Sequence, residues 1–249
     1  MLKEERFDHI INLLKKENKV SYDQLAGELH VSEDTIRRDI DALYQNGLLS
    51  KVRGGAITLA KNPLSFQDRS SHLSEGKEAI ALKARQFIKN GQTIFMDGGT
   101  TVCAIAASLP LDSNLRVITN NMALIPILSN FNNIEVIVLG GKYNRDTQTN
   151  SGLRTIDEAR EYIADCYFMG ACALHHELGV TSVFNEEASI KRAMISNAKK
   201  IIVLGNVEKL STTEPFRVCD LAQVNVLITD LPSDSDLLDS YRSLGIRLI

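Results

Sequence analysis

Four apolar runs in this chain each end in small or polar residues suited to holding an anion. "TIFM" is followed by Asp97, Gly98, Gly99, Thr100 and Thr101, and "RVI" by Thr119, Asn120 and Asn121. "EVIVL" is followed by Gly140, Gly141 and Lys142, and "KIIVL" by Gly205 and Asn206. Glycines let a backbone come close to a ligand, and hydroxyls and amides donate or accept. A helix opening just after "DGGTT" would present bare amide groups to a negative charge. One Gly-rich turn is often only a tight turn, but several at strand ends predict a pocket for a small ligand bearing a phosphate. Neither G-x-G-x-x-G nor G-x-x-x-x-G-K-[ST] is present, which argues against a dinucleotide or a nucleoside triphosphate.

A second group of residues points to a different chemistry. Thr35, Arg37, Arg38, Lys51, Arg53 and Lys61 fall close together, against only Asp39 and Asp41 within residues 37–61. Guanidinium groups bind phosphates and guanine edges in a forked geometry. The formal net charge of the whole chain is −3, and residues 1–61 hold ten basic and ten acidic residues. Any nucleic-acid binding must therefore come from local placement, not from a general positive coat.

The elements that would carry this second group are legible. Phe7, Ile10, Ile11 and Leu14 share one face of a helix through residues 2–17. Ser21 with Gln24 three residues on is the pattern of a capping box, opening a short helix that buries Leu25 and Leu29. "HVS" makes a turn, and Ser32 caps a third helix through "EDTIRRDIDALYQN", stopped by Gly47. Ile36, Ile40 and Leu43 form its buried stripe, so Thr35, Arg37 and Arg38 flank or oppose that stripe. "LLSKVRGGAITL" reads as strand, Gly-Gly turn, strand. Three helices and a hairpin predict a small α+β winged helix-turn-helix domain over residues 1–59, with its third helix in the major groove of double-stranded DNA. The competing reading is an exposed helix whose arginines only balance Asp39 and Asp41.

Residues 60–75, rich in Pro, Ser and charges, read as a linker. Over residues 76–249 short strands alternate with helices: "TIFMD", "RVITN", "EVIVLGG", "CYFMG", "KIIVLG" and "VLITD". Continuous Val/Ile runs separated by helices predict an α/β domain with a mostly parallel sheet covered on both faces. Ligands of such sheets bind beyond the carboxyl ends of the strands, where the polar runs lie.

With 44% hydrophobic and 24% charged residues, no apolar run long enough to span a membrane and a start unlike a signal peptide, the chain is expected in the cytoplasm. Cys103, Cys166, Cys172 and Cys219 form no C-x-x-C pair and read as buried free thiols. His175 and His176 are adjacent, so on a strand they would point to opposite faces, and no metal or other cofactor is expected.

"TIRRDIDALYQNGLLSKVRGGA" resembles the signature of the DeoR family of bacterial transcription regulators. "DGGTT", "TNN", "LGGKYN", "NEEASIKRAMISNAKK" and "LGNVEKL" resemble the sensor domain of that family, so the resemblance covers nearly the whole chain. It implies a fold like those of ribose-5-phosphate isomerase and glucosamine-6-phosphate deaminase, with a sugar phosphate as effector. It also implies an effector pocket made of Asp97 to Thr101, Thr119 to Asn121, Gly140, Gly141, Lys191 and Lys209, to which the strand-end pattern adds Asn206. The chain departs from the family at several points. Arg53 stands where histidine is usual and Gly98 where serine is common, and "GACALHHELGV" lacks the usual Gly-rich pattern after Gly170. Asn206 replaces an aspartate and Val207 a serine. Loss of that negative charge predicts tolerance of a more negative effector.

An enzyme of the isomerase or deaminase type would need a positioned general base. Asp97, Glu186 and Glu187 are candidates, but no second acid or base accompanies them, so a regulator without catalysis is expected. One winged domain offers little surface for specific affinity, which predicts a homo-oligomer, dimer or tetramer, on repeated half-sites.

Overall fold

The helical periodicity of the first sixty residues resolves into a core closed by three helices. The computed structural model describes residues 3–17, 19–45, 48–52, 54–57, 66–72 and 74–249, and divides into two units, Met1–Ser74 and Glu75–Ile249. In the first unit, α1 (Lys3–Glu17) is followed by β1 (Lys19–Ser21), α2 (Tyr22–Leu29) and α3 (Glu33–Gln45). Ile10 and Leu14, Leu25 and Leu29, and Ile36, Ile40 and Leu43 are all buried together. Each such side chain is worth roughly 1.5–3 kcal/mol against its exposed state.

Capping sets where these helices begin. Ser21 Oγ accepts the Gln24 N–H at 3.1 Å, but the Gln24 amide turns to Glu17 and Glu28, so only half of the expected capping box forms. His30 ends α2 in the left-handed region, its N–H donating to the Ala26 carbonyl. Ser32 Oγ accepts the Thr35 N–H at 3.2 Å and opens α3.

The expected hairpin is present as β2 (Ser50–Val52) and β3 (Gly55–Ile57), with Gly54 in the turn and Gly55 already in the strand. It gains a partner the sequence did not reveal, because β1 pairs with β3 to make an antiparallel sheet of order β1-β3-β2. Gly47, Arg53 and Lys61 lie outside the described residues. Within the stretch read as linker, α4 (Phe66–Ser71) is helical, and α5 (Ser74–Ala84) begins before its end.

The second unit is built on a seven-stranded parallel sheet. In chain order its elements are β4 (Thr93–Met96), α6 (Thr100–Ala107), β5 (Leu115–Thr119), α7 (Ile125–Leu128), β6 (Ile134–Val138), β7 (Lys142–Asn144), β8 (Thr149–Ser151) and α8 (Leu153–Arg160). These are followed by β9 (Cys166–Gly170), β10 (Ala173–His175), β11 (Gly179–Ser182), α9 (Asn185–Ser196), β12 (Ile201–Leu204), β13 (Phe216–Cys219), β14 (Val226–Ile228), α10 (Asp239–Arg242) and β15 (Arg247–Leu248). The sheet order is β15-β14-β12-β9-β4-β5-β6, with every pairing parallel. All six expected strands are in it, and β15 is an addition.

The chain runs outward from β4 through β5 to β6, then crosses back to lay β9 on the other flank of β4. That reversal leaves a crevice at the carboxyl ends of β4 and β9, the place where open α/β sheets bind ligands. Two small antiparallel sheets, β10-β11-β13 and the β7-β8 pair, accompany the main one. Residues on β4, β9 and β12 are almost wholly buried, which accounts for their unbroken apolar runs. Among the described residues no helix is long and apolar enough to cross a membrane.

Candidate functional site

On α3 the two aspartates that could have neutralised the arginines, Asp39 and Asp41, are engaged elsewhere. Asp39 is buried and takes a forked pair from Arg6, Nε to Oδ2 at 2.6 Å and Nη2 to Oδ1 at 3.1 Å, tying α3 to α1. Asp41 is bound by Lys51, whose pKa is raised chiefly by that hydrogen bond. Arg37 stands 3.6 Å from Glu33 and lies over the Tyr22 ring at 5.2 Å from its centre. Arg38 is exposed and has no side-chain partner among the described residues. Ser32 and Thr35 share a hydroxyl contact of 2.9 Å at the exposed start of the helix. Helix α3 therefore presents one unpaired guanidinium, one that pairs with Glu33 and lies over an aromatic ring, and two hydroxyls.

In the second unit, parallel register carries Asp97 beyond β4 to face the end of β9. Asp97 Oδ1 accepts the Gly170 N–H at 2.9 Å, and Oδ2 accepts both the Tyr167 hydroxyl at 2.6 Å and the Lys191 ammonium from α9. Lys191 also donates to the Gly170 carbonyl at 2.8 Å. Both members of this ion pair are buried. Burial pushes the Asp97 pKa up, partly countered by Lys191, Tyr167 and the Gly170 N–H. Burial also works against the charge on Lys191, but Asp97 and further negative neighbours outweigh it and hold that pKa above its ordinary value. The pair is a closed, hydrogen-bonded unit that locks β4, β9 and α9 together.

Beside it is a cleft lined by Asp97, Gly98, Asn120, Thr149, Glu187, Ile190 and Lys191. Its free volume is about 10 Å³, room for a single water. Asn120 donates from Nδ2 to the Asn150 carbonyl at 2.9 Å, while its buried Oδ1 has no partner among the described residues. Gly98 faces the Thr149 methyl so closely that a Cβ would stand 2.5 Å from Cγ2. Gly99 precedes α6 with φ of +143°, a conformation that side chains rarely adopt, and supplies no side-chain cap. The first amides of α6 are thus left without a capping side chain, and the half-buried Thr100 and Thr101 hydroxyls have no partner among the described residues.

Comparison with known proteins finds a family match for each part of the chain. Residues 6–62 match the DeoR-like helix-turn-helix domain and residues 73–231 the DeoR C terminal sensor domain. The chain belongs to the DeoR family. It is a DNA-binding transcriptional regulator, as are its relatives. The HTH-type transcriptional repressor GlcR of Bacillus subtilis (strain 168) is 34% identical over 100% of this chain and 96% of its own length. The glycerol-3-phosphate regulon repressor of Escherichia coli (strain K12) is 29% identical over 100% and 99%. Among solved structures, ribose 5 phosphate isomerase A from Neisseria gonorrhoeae aligns with 55% of this chain and 53% of its own at a TM-score of 0.40 and 16% identity.

In this DeoR-family regulator the residues expected to form one pocket separate into four groups. Asp97, Gly98, Asn120 and Lys191 line the cleft, with Gly99, Thr100 and Thr101 adjoining Gly98 in sequence at the start of α6. Thr119 and Asn121 brace it from behind. Thr119 Oγ1 accepts the Asn121 N–H at 2.9 Å, and the fully buried Asn121 amide donates to the Asp97 carbonyl at 3.1 Å and accepts the Ala123 N–H at 3.1 Å. Gly140 and Gly141 are taken up by contacts to α8 instead. The Gly140 N–H donates to Glu158 at 2.6 Å and its carbonyl accepts from Thr155 at 2.5 Å, while a Cβ on Gly141 would meet Thr155 Oγ1 at 2.1 Å.

Asn206 and Lys209 stand beyond β12, outside the residues lining the cleft, with Lys209 donating to the Ala171 carbonyl at 2.5 Å. Asn206 Oδ1 is buried without a partner among the described residues. Lys191 does not pair with Glu187 one turn before it, because the buried Asp97 claims it. His175 and His176 are stacked, ring centres 4.5 Å apart, instead of pointing to opposite faces, because β10 ends at His175. Thr149 and Ile190 are lining residues that sequence reasoning missed, and Glu187 was named there only as a candidate base. The one available signal was that Glu187 and Lys191 share a face of α9.

Proposed function

We propose that this regulator is a repressor of a sugar-utilisation operon that leaves its operator when a phosphorylated sugar binds the cleft between β4, β5 and α9. The observation that carries the effector half is the unsatisfied polarity at one place: the buried, unpartnered Asn120 Oδ1 and, next to Gly98, the uncapped amides and free hydroxyls that open α6. A buried acceptor left unpaired costs about 1–3 kcal/mol, which a ligand hydroxyl would recover. An uncapped helix N-terminus favours a phosphate. The names of the relatives, among them a glycerol-3-phosphate regulon repressor, support the same class of effector.

On this reading Ser32, Thr35, Arg37, Arg38, Lys51 and Arg53 contact operator DNA, with Arg38 reading a base edge and Lys51 exchanging Asp41 for a phosphate. Residues 1–59 act on DNA, residues 76–249 on the effector, and residues 60–75 join them. The protein works in the cytoplasm as a homo-oligomer, a dimer or tetramer, so that two third helices meet repeated half-sites. Ligand pockets for drug-sized molecules occupy roughly 300–1,000 Å³. A cleft of about 10 Å³ must therefore widen to admit a sugar phosphate. That widening supplies the two states that coupling requires, the effector binding the DNA-incompetent one more tightly by ~1–3 kcal/mol.

Two measurements on the full chain test this. Arg38→Ala should weaken operator binding by about 1–3 kcal/mol in fluorescence anisotropy. A thermal-shift panel of sugar phosphates should contain at least one compound that raises the Tm and releases operator. Unchanged operator affinity removes the role of α3, and a panel without any stabilising compound removes the effector.

A further inference from the structure

Among the described residues, Glu187 is the carboxylate lining the cleft that forms no ion pair. Asp97 is bound to Lys191, but Glu187 receives only neutral donors, and both fall on one oxygen. The buried Ser182 hydroxyl donates to Oε2 at 3.0 Å, and the Cys172 thiol lies 3.9 Å from the same atom. Oε1 has no hydrogen-bond partner among the described residues. Ser182 ends β11, a strand of the small β10-β11-β13 sheet, so the carboxylate is oriented from outside α9.

Glu187, with its unpaired Oε1, and Asn120, with its buried and unpartnered Oδ1, thus both line one cleft. The lining holds two carboxylates against one ammonium, so its formal charge is negative. An acceptor-rich, negative lining calls for a ligand group that donates hydrogen bonds and carries no negative charge. A phosphate fits the start of α6 and not this end.

We propose that Glu187, oriented by Ser182, is a specificity-determining residue that makes the sensor read hydroxyl groups and reject effectors carrying a carboxylate. This rests on the sugar-phosphate reading of the cleft. The like charge on a sugar acid would lie against Glu187 and leave Asn120 Oδ1 unpaired, whereas a hydroxyl satisfies an acceptor. Asn206, whose lack of charge suggested tolerance of a more negative effector, stands beyond β12 and does not line this cleft.

The test is calorimetry on the full chain with glucose 6-phosphate, fructose 1-phosphate, glycerol 3-phosphate and 6-phosphogluconate. The wild type should prefer one of the first three over the phosphorylated acid. Glu187→Gln keeps an acceptor for Ser182 but turns a neutral N–H donor toward the cleft. It should weaken the preferred compound roughly tenfold, the scale of one hydrogen bond to a charged group, and strengthen 6-phosphogluconate relative to it. Ser182→Ala, which keeps the charge and frees its orientation, should shrink the same preference by a smaller factor. A preference ratio unchanged in both variants overturns the role of Glu187 while leaving the sugar-phosphate reading intact. Failure of all four compounds to bind the wild type overturns that reading and this proposal with it.

Discussion

Replacing Lys191 by methionine isolates what the buried ion pair contributes. Methionine refills most of the hydrocarbon volume, so no large cavity opens, but it leaves Asp97 without its cation. The carboxylate keeps two donors, the Tyr167 hydroxyl at 2.6 Å and the Gly170 N–H at 2.9 Å, and the Gly170 carbonyl loses its donor. Removing one partner of a buried pair costs about 3–5 kcal/mol. At about 2–4 °C per kcal/mol for a unit of this size, the Tm should fall by roughly 6–20 °C near pH 8. The loss should depend on pH in a stated direction. Burial already raises the Asp97 pKa, and without Lys191 the folded value rises further above its ordinary one. A carboxyl whose folded pKa is raised carries its full penalty above that value, and the penalty fades as pH falls through it toward the unfolded value. The gap between Lys191→Met and wild type should therefore narrow by up to about 1.4 kcal/mol per pH unit across that window. Differential scanning calorimetry near pH 8 and near pH 5, with Asp97→Asn in single and double variants, reads it. A loss below about 1 kcal/mol, the worth of an exposed pair, or one equal at both pH values, would refute the reasoning.

Gly98→Ser would restore the residue common in the family but place its Cβ 2.5 Å from the Thr149 methyl. It should cost about 1–3 kcal/mol in urea unfolding, and Thr149→Ser should recover much of that; equal stability of all three proteins would contradict the packing. Alkylation with iodoacetamide near pH 8 should label Cys172 first, because Cys103, Cys166 and Cys219 are buried and burial pushes the Cys219 thiol up to about 12. Any sugar phosphate that raises the Tm should slow labelling of Cys172, which touches Glu187; mass spectrometry showing Cys219 labelled as fast would count against this.

Long periodic segments were legible because their pattern is set by burial along one element. The stripes of Ile36, Ile40 and Leu43 and the Val/Ile runs of the parallel sheet are of that kind. What escaped was decided by partners remote in sequence. β1 has three residues, too few for a period, and exists because the hairpin offers β3 as an edge. The glycines at 140 and 141 look like ligand-approach residues, yet Gly140 lies against Arg154 and Glu158 and Gly141 against Thr155 and Ser151. Lys191 carries no mark that Asp97, 94 residues earlier, will take it in preference to Glu187 one turn away. Thr149 lines the cleft only because β8 reaches the end of β4, which no local pattern announces.

The separation of Asp97 from Lys191 also has a consequence during synthesis. Domains tend to fold as units, amino-terminal first, while a chain elongates at about 5–20 residues per second. The first unit is complete at Ser74, but the ion pair cannot form before Lys191 has been made. For on the order of 10 s of elongation a nascent chain can therefore carry a finished DNA-reading unit and an unfinished sensor. Translation halted within that interval would leave fragments able to fold the first unit yet deaf to any effector.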